Sequence, residues 1–305
     1  MKRILVVYYS QSGEVRRAAE SLVEPLTSAG AELVWSPIVP RVEYPLPWRN
    51  VHRFFNEMPE CVLGYPPEIA PPAFSLEDRF DLVILAYPVW FLSPAPPIQS
   101  LFRTEHARVF RGRKTLTLTV SRNMWNRASL KMRRLLAEAG AVHIDNVVAT
   151  HQGPVWATFI TTPRTLLTGK RNRLWGVLPP AGIGDTEFQR LRSLGEAIAR
   201  QLNTLDSPDA RPFLRGLGAA EVNSRYVIAE CVAAWVFPFW ARVIRLFGPP
   251  GRPARHVGIF LFMHFLLLMI LVGIPLTIVT LPVVYPFVRQ PMTAYISRLK
   301  QPSEA

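Results

Sequence analysis

The 305-residue sequence predicts an α/β protein: a doubly wound parallel sheet followed by an apolar helical segment near the C-terminus. Three observations carry that prediction. The chain opens with the charge-free run Ile4-Leu5-Val6-Val7-Tyr8-Tyr9, whose β-branched and aromatic residues suit a strand buried on both faces. Strand-like and helix-like segments then alternate to about residue 205, a pattern that builds parallel sheets with right-handed crossovers. Finally, no residue from Val257 to Val288 carries a formal charge.

Taken in order, Ile4–Tyr9 is the first strand, stopped by Ser10-Gln11-Ser12-Gly13. It follows Met1-Lys2-Arg3 as a signal peptide would, but six apolar residues fall short of a signal core, so the chain is expected to start in the cytoplasm. Val15, Ala18, Ala19, Leu22, Val23 and Leu26 then fall on one face of a helix that Gly30 closes. Glu32–Trp35 is a short second strand, and Asp81–Tyr87 a central third. Thr115–Val120 is the fourth. Ala128, Met132, Leu135, Leu136 and Ala139 line the next helix, and Ala141–Thr150 is the fifth strand. Thr186 with Gln189 resembles a capping box opening a helix through Leu202. Residues 37–76 and 153–184 interrupt the minimal pattern. Loops that long are usually functional or packed on something, and both are expected to cover the carboxyl ends of the strands.

About 20 apolar residues cross a bilayer core. The best span runs from Val257 to about Leu281, with Pro275, Pro282 and Pro286 expected to kink or end it. A buried helix of a soluble protein is the alternative. Arg242, Arg245, Arg252 and Arg255 precede the span; Arg289, Arg298 and Lys300 follow it. That near balance weakly favours the N-terminal side inside and leaves a re-entrant hairpin open. Tyr226–Phe247 is also apolar but contains Glu230 and Pro238. It reads equally as an interfacial helix or as one packed on the globular domain. The expected organisation is a sheet domain over 1–205, a linker and amphipathic segment over 206–256, a transmembrane segment over 257–288 and a basic tail over 289–305.

Charge points the same way. Lys and Arg number 35 against 22 Asp and Glu, a net +13. Such a surface attracts anions. No nucleic-acid recognition module is visible, so an anionic membrane is the expected partner rather than nucleic acid. The two cysteines, Cys61 and Cys231, form no metal or disulfide motif. Gly182-Ile183-Gly184 follows no strand and is not a dinucleotide fingerprint.

Ligands bind doubly wound sheets beyond the carboxyl ends of the strands. After the first strand, Ser10-Gln11-Ser12-Gly13-Glu14-Val15 offers two hydroxyls, a glycine and the free N–H groups of a helix start, the makings of an anion site. Ser12 acting only as a helix cap is the other reading. Glu14 is tolerable there if its side chain turns to solvent. After the third strand, Pro88-Val89-Trp90-Phe91 offers either a wall for a flat ring or an anchor in the core. Ser121-Arg122-Asn123 follows the fourth strand, and His151 ends the fifth. His151 is either a proton relay or an ordinary surface or core histidine.

These residues resemble the flavodoxin family. Ser10-Gln11-Ser12-Gly13 is similar to its phosphate loop, although Val15 departs from the usual hydroxyl residue. Pro88-Val89-Trp90-Phe91 resembles the ring-bordering loop of flavodoxin-like NAD(P)H:quinone reductases. The resemblance implies a five-stranded parallel sheet in the order 2-1-3-4-5 and FMN held by residues 10–15, 88–91 and 121–123. NAD(P)H as electron donor and a homodimer are compatible with it. Longer stretches, among them Phe91-Leu92-Ser93-Pro94, Arg122-Asn123-Met124-Trp125 and Leu178-Pro179-Pro180-Ala181-Gly182, look like a bacterial group labelled dialkylresorcinol condensing enzyme. The expectation is therefore an FMN-dependent oxidoreductase on the cytoplasmic face of the inner membrane, acting on an apolar quinone- or lipid-like substrate. A condensing enzyme for lipid-derived acyl chains and a non-catalytic membrane adaptor are the alternatives.

Overall fold

The computed structural model describes residues 1–207 and 211–303. The side chains at 155, 156, 159, 225, 274, 275, 277, 278 and 281–288 lie outside the described residues, as do tail residues 304 and 305. Side-chain packing of the expected span beyond Thr280 therefore falls outside as well.

Strand β1 (Arg3–Tyr8) leads into helix α1 (Glu14–Ser28) and strand β2 (Glu32–Pro37). The apolar face read from the sequence is the one α1 buries: Val15, Ala18, Ala19, Leu22, Val23 and Leu26. The first insertion is partly helical, with α2 (Val51–Asn56) and α3 (Met58–Leu63). Next come β3 (Leu82–Trp90), β4 (Ser93–Pro94), α4 (Pro96–Leu101), β5 (Lys114–Ser121), α5 (Asn126–Glu138) and β6 (Val142–Thr150). The second insertion also holds a helix, α6 (Val155–Thr168), before α7 (Asp185–Ala199).

The parallel strands lie in the order β2-β1-β3-β5-β6, with β4 added antiparallel beside β3. That is the flavodoxin-like order, 2-1-3-4-5 when only parallel strands are counted. Alternate β1 residues face opposite layers. Ile4 and Val6 pack with α1 and α7, while Leu5 and Val7 pack with Val83, Leu85 and Tyr87. The core extends past residue 205, because Phe213, Leu214 and Ala219 join the α1–α7 layer. The same segment covers the free edge of β6. Val148 N donates to Ala219 O at 2.8 Å, and Phe213 N to the buried Asp145 carboxylate at 2.7 Å. An uncovered edge strand would invite pairing with another chain.

Three expectations are corrected. Residues 88–90 are strand, not loop. Phe91 and Leu92 both take positive φ (47° and 59°), the backbone of a two-residue hairpin that pairs Trp90 with Ser93. The capping box at Thr186 does not form: Gly184 is the N-cap and no side chain caps α7. The insertions are not structureless, because Pro59 sits in the first turn of α3, where its missing N–H costs nothing.

The C-terminal third holds α8 (Ser224–Leu246), α9 (Arg255–Leu268), a π turn over Met269–Gly273, and α10 (Ile274–Lys300). Two stretches, Tyr226–Leu246 and Arg255–Gly273, are long and apolar enough to cross a membrane. Helix α8 is nevertheless tied to the sheet domain. Its buried Glu230 accepts from Asn126 Nδ2 and Arg127 N, both at 2.7 Å, and Arg245 pairs with Glu60 at 2.9 Å. The outer face of α8 exposes Val232, Trp235, Phe239 and Leu246. Prolines 282 and 286 do not end α10, which runs on to Lys300, so part of the expected basic tail is helical.

Candidate functional site

The order of strands reverses between β1 and β3, and the turns after those two strands flank the switch point. Gly13 takes a left-handed conformation (φ 77°) as the N-cap of α1, with open space where a Cβ would stand. The backbone N–H groups of Ser12, Gly13, Glu14 and Val15 donate to no described residue. They form a cradle of donors at the positive end of the α1 dipole. Ser10 Oγ accepts from Arg16 N at 3.2 Å, which leaves its proton free to donate. Gln11 Nε2 donates to Pro45 O at 2.9 Å and ties the turn to the first insertion. The Val15 side chain is in the core, so only its N–H belongs to the turn.

Glu14 does not turn to solvent. Its Oε1 accepts from Ile183 N at 2.7 Å, and its Oε2 lies 3.2 Å from His151 Nε2. Burial alone would raise its pKa. The His151 hydrogen bond and charge, the Ile183 N–H and the Arg171 guanidinium outweigh burial and hold the carboxyl down at about 2, from an ordinary 4.5. Arg171 also donates to Ser12 O at 2.9 Å. The second insertion thus closes over the first turn through Arg171 and Ile183. Neither residue stood out in the sequence. The available signal was Gly182, read there only as a failed dinucleotide motif. A Cβ on it would stand 2.3 Å from Glu14 Oε1, so only glycine lets the carboxylate approach.

The turn after β5 and the end of β6 meet at the same place. His151 N donates to Ser121 O at 3.1 Å, and Asn123 N to Ser121 Oγ at 3.1 Å. Two buried nitrogens remain without partners, Asn123 Nδ2 and His151 Nδ1. Nε2 faces Glu14, so Nδ1 is the ring nitrogen left to a ligand. Arg122 is half-buried, and burial lowers its pKa against the opposing charge of Tyr226.

The aromatic turn is not an exposed wall. Trp90 is buried among Tyr9, Tyr44 and Trp48, with ring centroids 6.1, 5.1 and 5.9 Å away. Phe91 stacks at a tilt on Phe54, 4.7 Å away. Pro88 and Val89 are half-buried in the strand. Burial pushes the phenols of Tyr9 and Tyr44 up, so both are neutral. The first insertion therefore supplies the second layer of this cluster, and its ring contacts continue through Phe54 and Phe55 to Phe262 of α9. Two shallow, open surface clefts lie elsewhere: about 540 Å³ between α1 and α7, and about 400 Å³ at the amino ends of the strands.

No family model matches the chain, and no curated protein does. Solved structures do overlap it. An archaeal flavodoxin overlaps 66% of this chain and 99% of its own, at 11% identity and a TM-score of 0.38. A WrbA-like flavodoxin from Agrobacterium tumefaciens overlaps 68% and 100%, at 13% and 0.35. An NAD(P)H:quinone oxidoreductase from Methanothermobacter marburgensis overlaps 65% and 96%, at 12% and 0.32. Overlap at that level says nothing of chemistry. The flavodoxin-like, doubly wound α/β class of this chain rests on its own strand order.

Proposed function

We propose that the chain is a membrane-associated, FMN-dependent oxidoreductase whose acceptor is an apolar, quinone- or lipid-like molecule. The observation that carries the reading is the convergence, at the strand-order switch, of unpartnered N–H groups at Ser12–Val15 with two orphaned buried nitrogens, Asn123 Nδ2 and His151 Nδ1. A row of backbone donors at a helix start fits a phosphate. Asn123 Nδ2 can donate to a carbonyl and His151 Nδ1 can pair with a carbonyl or an N–H, the groups that alternate along the pyrimidine edge of a flavin. Buried polar atoms without partners are costly, and a ligand of that pattern would satisfy them.

In this reading Ser10, Ser12 and the N–H groups of residues 12–15 hold the phosphate, and Asn123 and His151 hold the ring edge. FMN, when bound, supplies electron transfer between a donor such as NAD(P)H and the acceptor. The protein orients and screens. Glu14 fixes the His151 ring through Nε2. Arg171 and His151 offset the Glu14 charge, which would otherwise oppose a phosphate dianion. The second insertion limits access of water to the turn. The run of ring contacts from Tyr9 through Trp90, Trp48, Phe54 and Phe55 to Phe262 supports an apolar acceptor, since it joins the candidate site to the base of α9.

Resorcinol condensation finds no support in the buried cysteine. Cys61 is fully buried, its Sγ donates to Trp90 O at 3.3 Å, and burial pushes the thiol up to about 12. A thiol held protonated in the core is not a nucleophile. The test is turnover by the FMN-loaded full chain in vesicles, with NADH or NADPH and a long-chain quinone. Quinone reduction is expected. Flavin retained without turnover on any donor would leave a carrier or adaptor, and no flavin retention would contradict the reading.

A further inference from the structure

The run from Arg255 to Lys300 is helical throughout, yet both of its ends are fastened to the same body. At the start, Arg255 is buried, pairs with Glu60 of α3 and donates to Asn56 O at 2.7 Å. Phe262 packs on Phe237 and Trp240 of α8. At the end, Arg133 of α5 donates to Arg298 O and Leu299 O at 2.8 and 2.6 Å. The buried Ser303 exchanges hydrogen bonds with the backbone of Asn146, its Oγ accepting from Asn146 N at 2.8 Å. Tyr295 is within electrostatic reach of Glu230 and Cys231 of α8. A straight helix from residue 262 to 295 would be about 50 Å long, whereas positions 231 and 240 of α8 are about 14 Å apart along their axis. The run must therefore leave the body and come back. A π turn at Met269–Gly273 and prolines at 275, 282, 286 and 291 supply places to bend.

What projects between the two feet is apolar. Residues 257–288 carry no formal charge, and Leu267, Leu268, Leu271, Val272, Leu276 and Val279 are exposed, Leu271 by 64% and Val279 by 73%. Water is a poor solvent for such a face, while a helical backbone, with its own hydrogen bonds made, can lie in lipid. From Phe262, where the run is still packed on α8, to the end of the π turn at Gly273 is a rise of about 16 Å, against a hydrocarbon core of about 30 Å. Arg242 and Arg252 lie at one foot, Arg289 and Arg298 at the other, so basic side chains gather on one side, where they meet lipid phosphates.

We propose that residues 255–300 form a helical arch that enters the bilayer from one face and returns to it, leaving the sheet domain and the C-terminus on the same side. The inference rests on the membrane-association reading above and replaces a spanning helix with a re-entrant one. It also holds the base of α9, and with it the aromatic cluster, at the membrane surface.

The test uses the full chain carrying Cys231→Ala, with the buried Cys61 kept, in right-side-out and inside-out membrane vesicles probed with a membrane-impermeant maleimide. Three separate reporters are Val42→Cys on the sheet domain, Leu271→Cys on the arch and Gln301→Cys at the end. Arg41→Cys replaces Val42→Cys if that variant misfolds. The expected result is labelling of positions 42 and 301 in the same vesicle orientation, with position 271 labelled only after detergent. Labelling of 42 and 301 in opposite orientations would overturn the arch and leave a spanning anchor. Release of the chain by alkaline wash, with 271 labelled freely, would overturn membrane association and the arch together.

Discussion

Strand β3 and the stretch 257–288 are equally free of charge, yet they end in opposite surroundings. Leu82–Tyr87 have no solvent exposure, because helices cover the sheet on both faces. In the C-terminal stretch, half or more of Leu268, Leu271, Leu276 and Val279 stays outside the protein. Apolar composition states that a segment must leave water. Length and neighbours decide what receives it: a strand of nine residues finds two helical layers, whereas an apolar helical stretch of 32 residues outruns the body and needs lipid.

The largest expected effect contrasts the two directly. Ile84→Asp buries an unpaired carboxylate in the sheet and should abolish soluble folded protein, at a cost of several kcal/mol. Leu271→Asp should leave far-UV circular dichroism and the melting midpoint in detergent unchanged, while weakening membrane retention by about 3 kcal/mol, roughly a hundredfold. Loss of the fold in Leu271→Asp would break the comparison.

Next is the joint between the regions. Glu60→Ala strands the buried Arg255 and should cost about 3–5 kcal/mol, read as a drop in Tm. The double variant Glu60→Met with Arg255→Met should recover most of that loss, because no charge is then left buried. Truncation after residue 210 should also destabilise the sheet domain, since it removes the Phe213 and Leu214 N–H donors and the Ser303 contact at the edge of β6.

A third test concerns pH. The Glu14 carboxyl is depressed in the folded protein, so its contribution is present above the unfolded value near 4.5 and is lost as pH falls towards about 2. Chemical denaturation should show that wild type loses a few kcal/mol between pH 5 and 2 that Glu14→Gln does not lose through this group. An identical acid limb in both proteins would dismiss the Glu14–His151–Ile183 clasp. The smallest effect is Gly13→Ala, expected to cost about 1 kcal/mol, because its φ of 77° is strained for any side chain although the space is open.

Much of the fold was legible in local patterns. The apolar stripe of α1 and the unbroken strands β1 and β3 needed only a periodicity count, since their partners lie on every side. The β3–β4 hairpin was hidden because Phe91 and Leu92 hold a backbone usually taken by Asn and Gly. The insertion helices were hidden behind prolines that read as breakers, although Pro59 merely opens α3. At the site, the residues of the phosphate-like turn were visible, but the clasp that closes it was not. Glu14 meets His151 and Ile183 from far along the chain, and a contact of that range leaves no local signature beyond the room Gly182 makes. The return of residues 255–300 was open for the same reason, because Arg133 and Asn146 hold its end from another element.

The central claim is a phosphate-bearing flavin at the β1–β3 switch. The direct measurement is the affinity of the detergent-purified, flavin-stripped full chain for FMN and for riboflavin, followed by quenching of flavin fluorescence. The account expects FMN to bind at least about tenfold more tightly, the worth of about one charge-assisted contact, and Gly13→Val to remove that difference. It also expects Glu14→Gln to strengthen FMN binding relative to riboflavin binding, because the negative charge beside the phosphate turn is then gone and no longer engages Arg171. Equal affinity for the two flavins in wild type, or none for either, would contradict the claim.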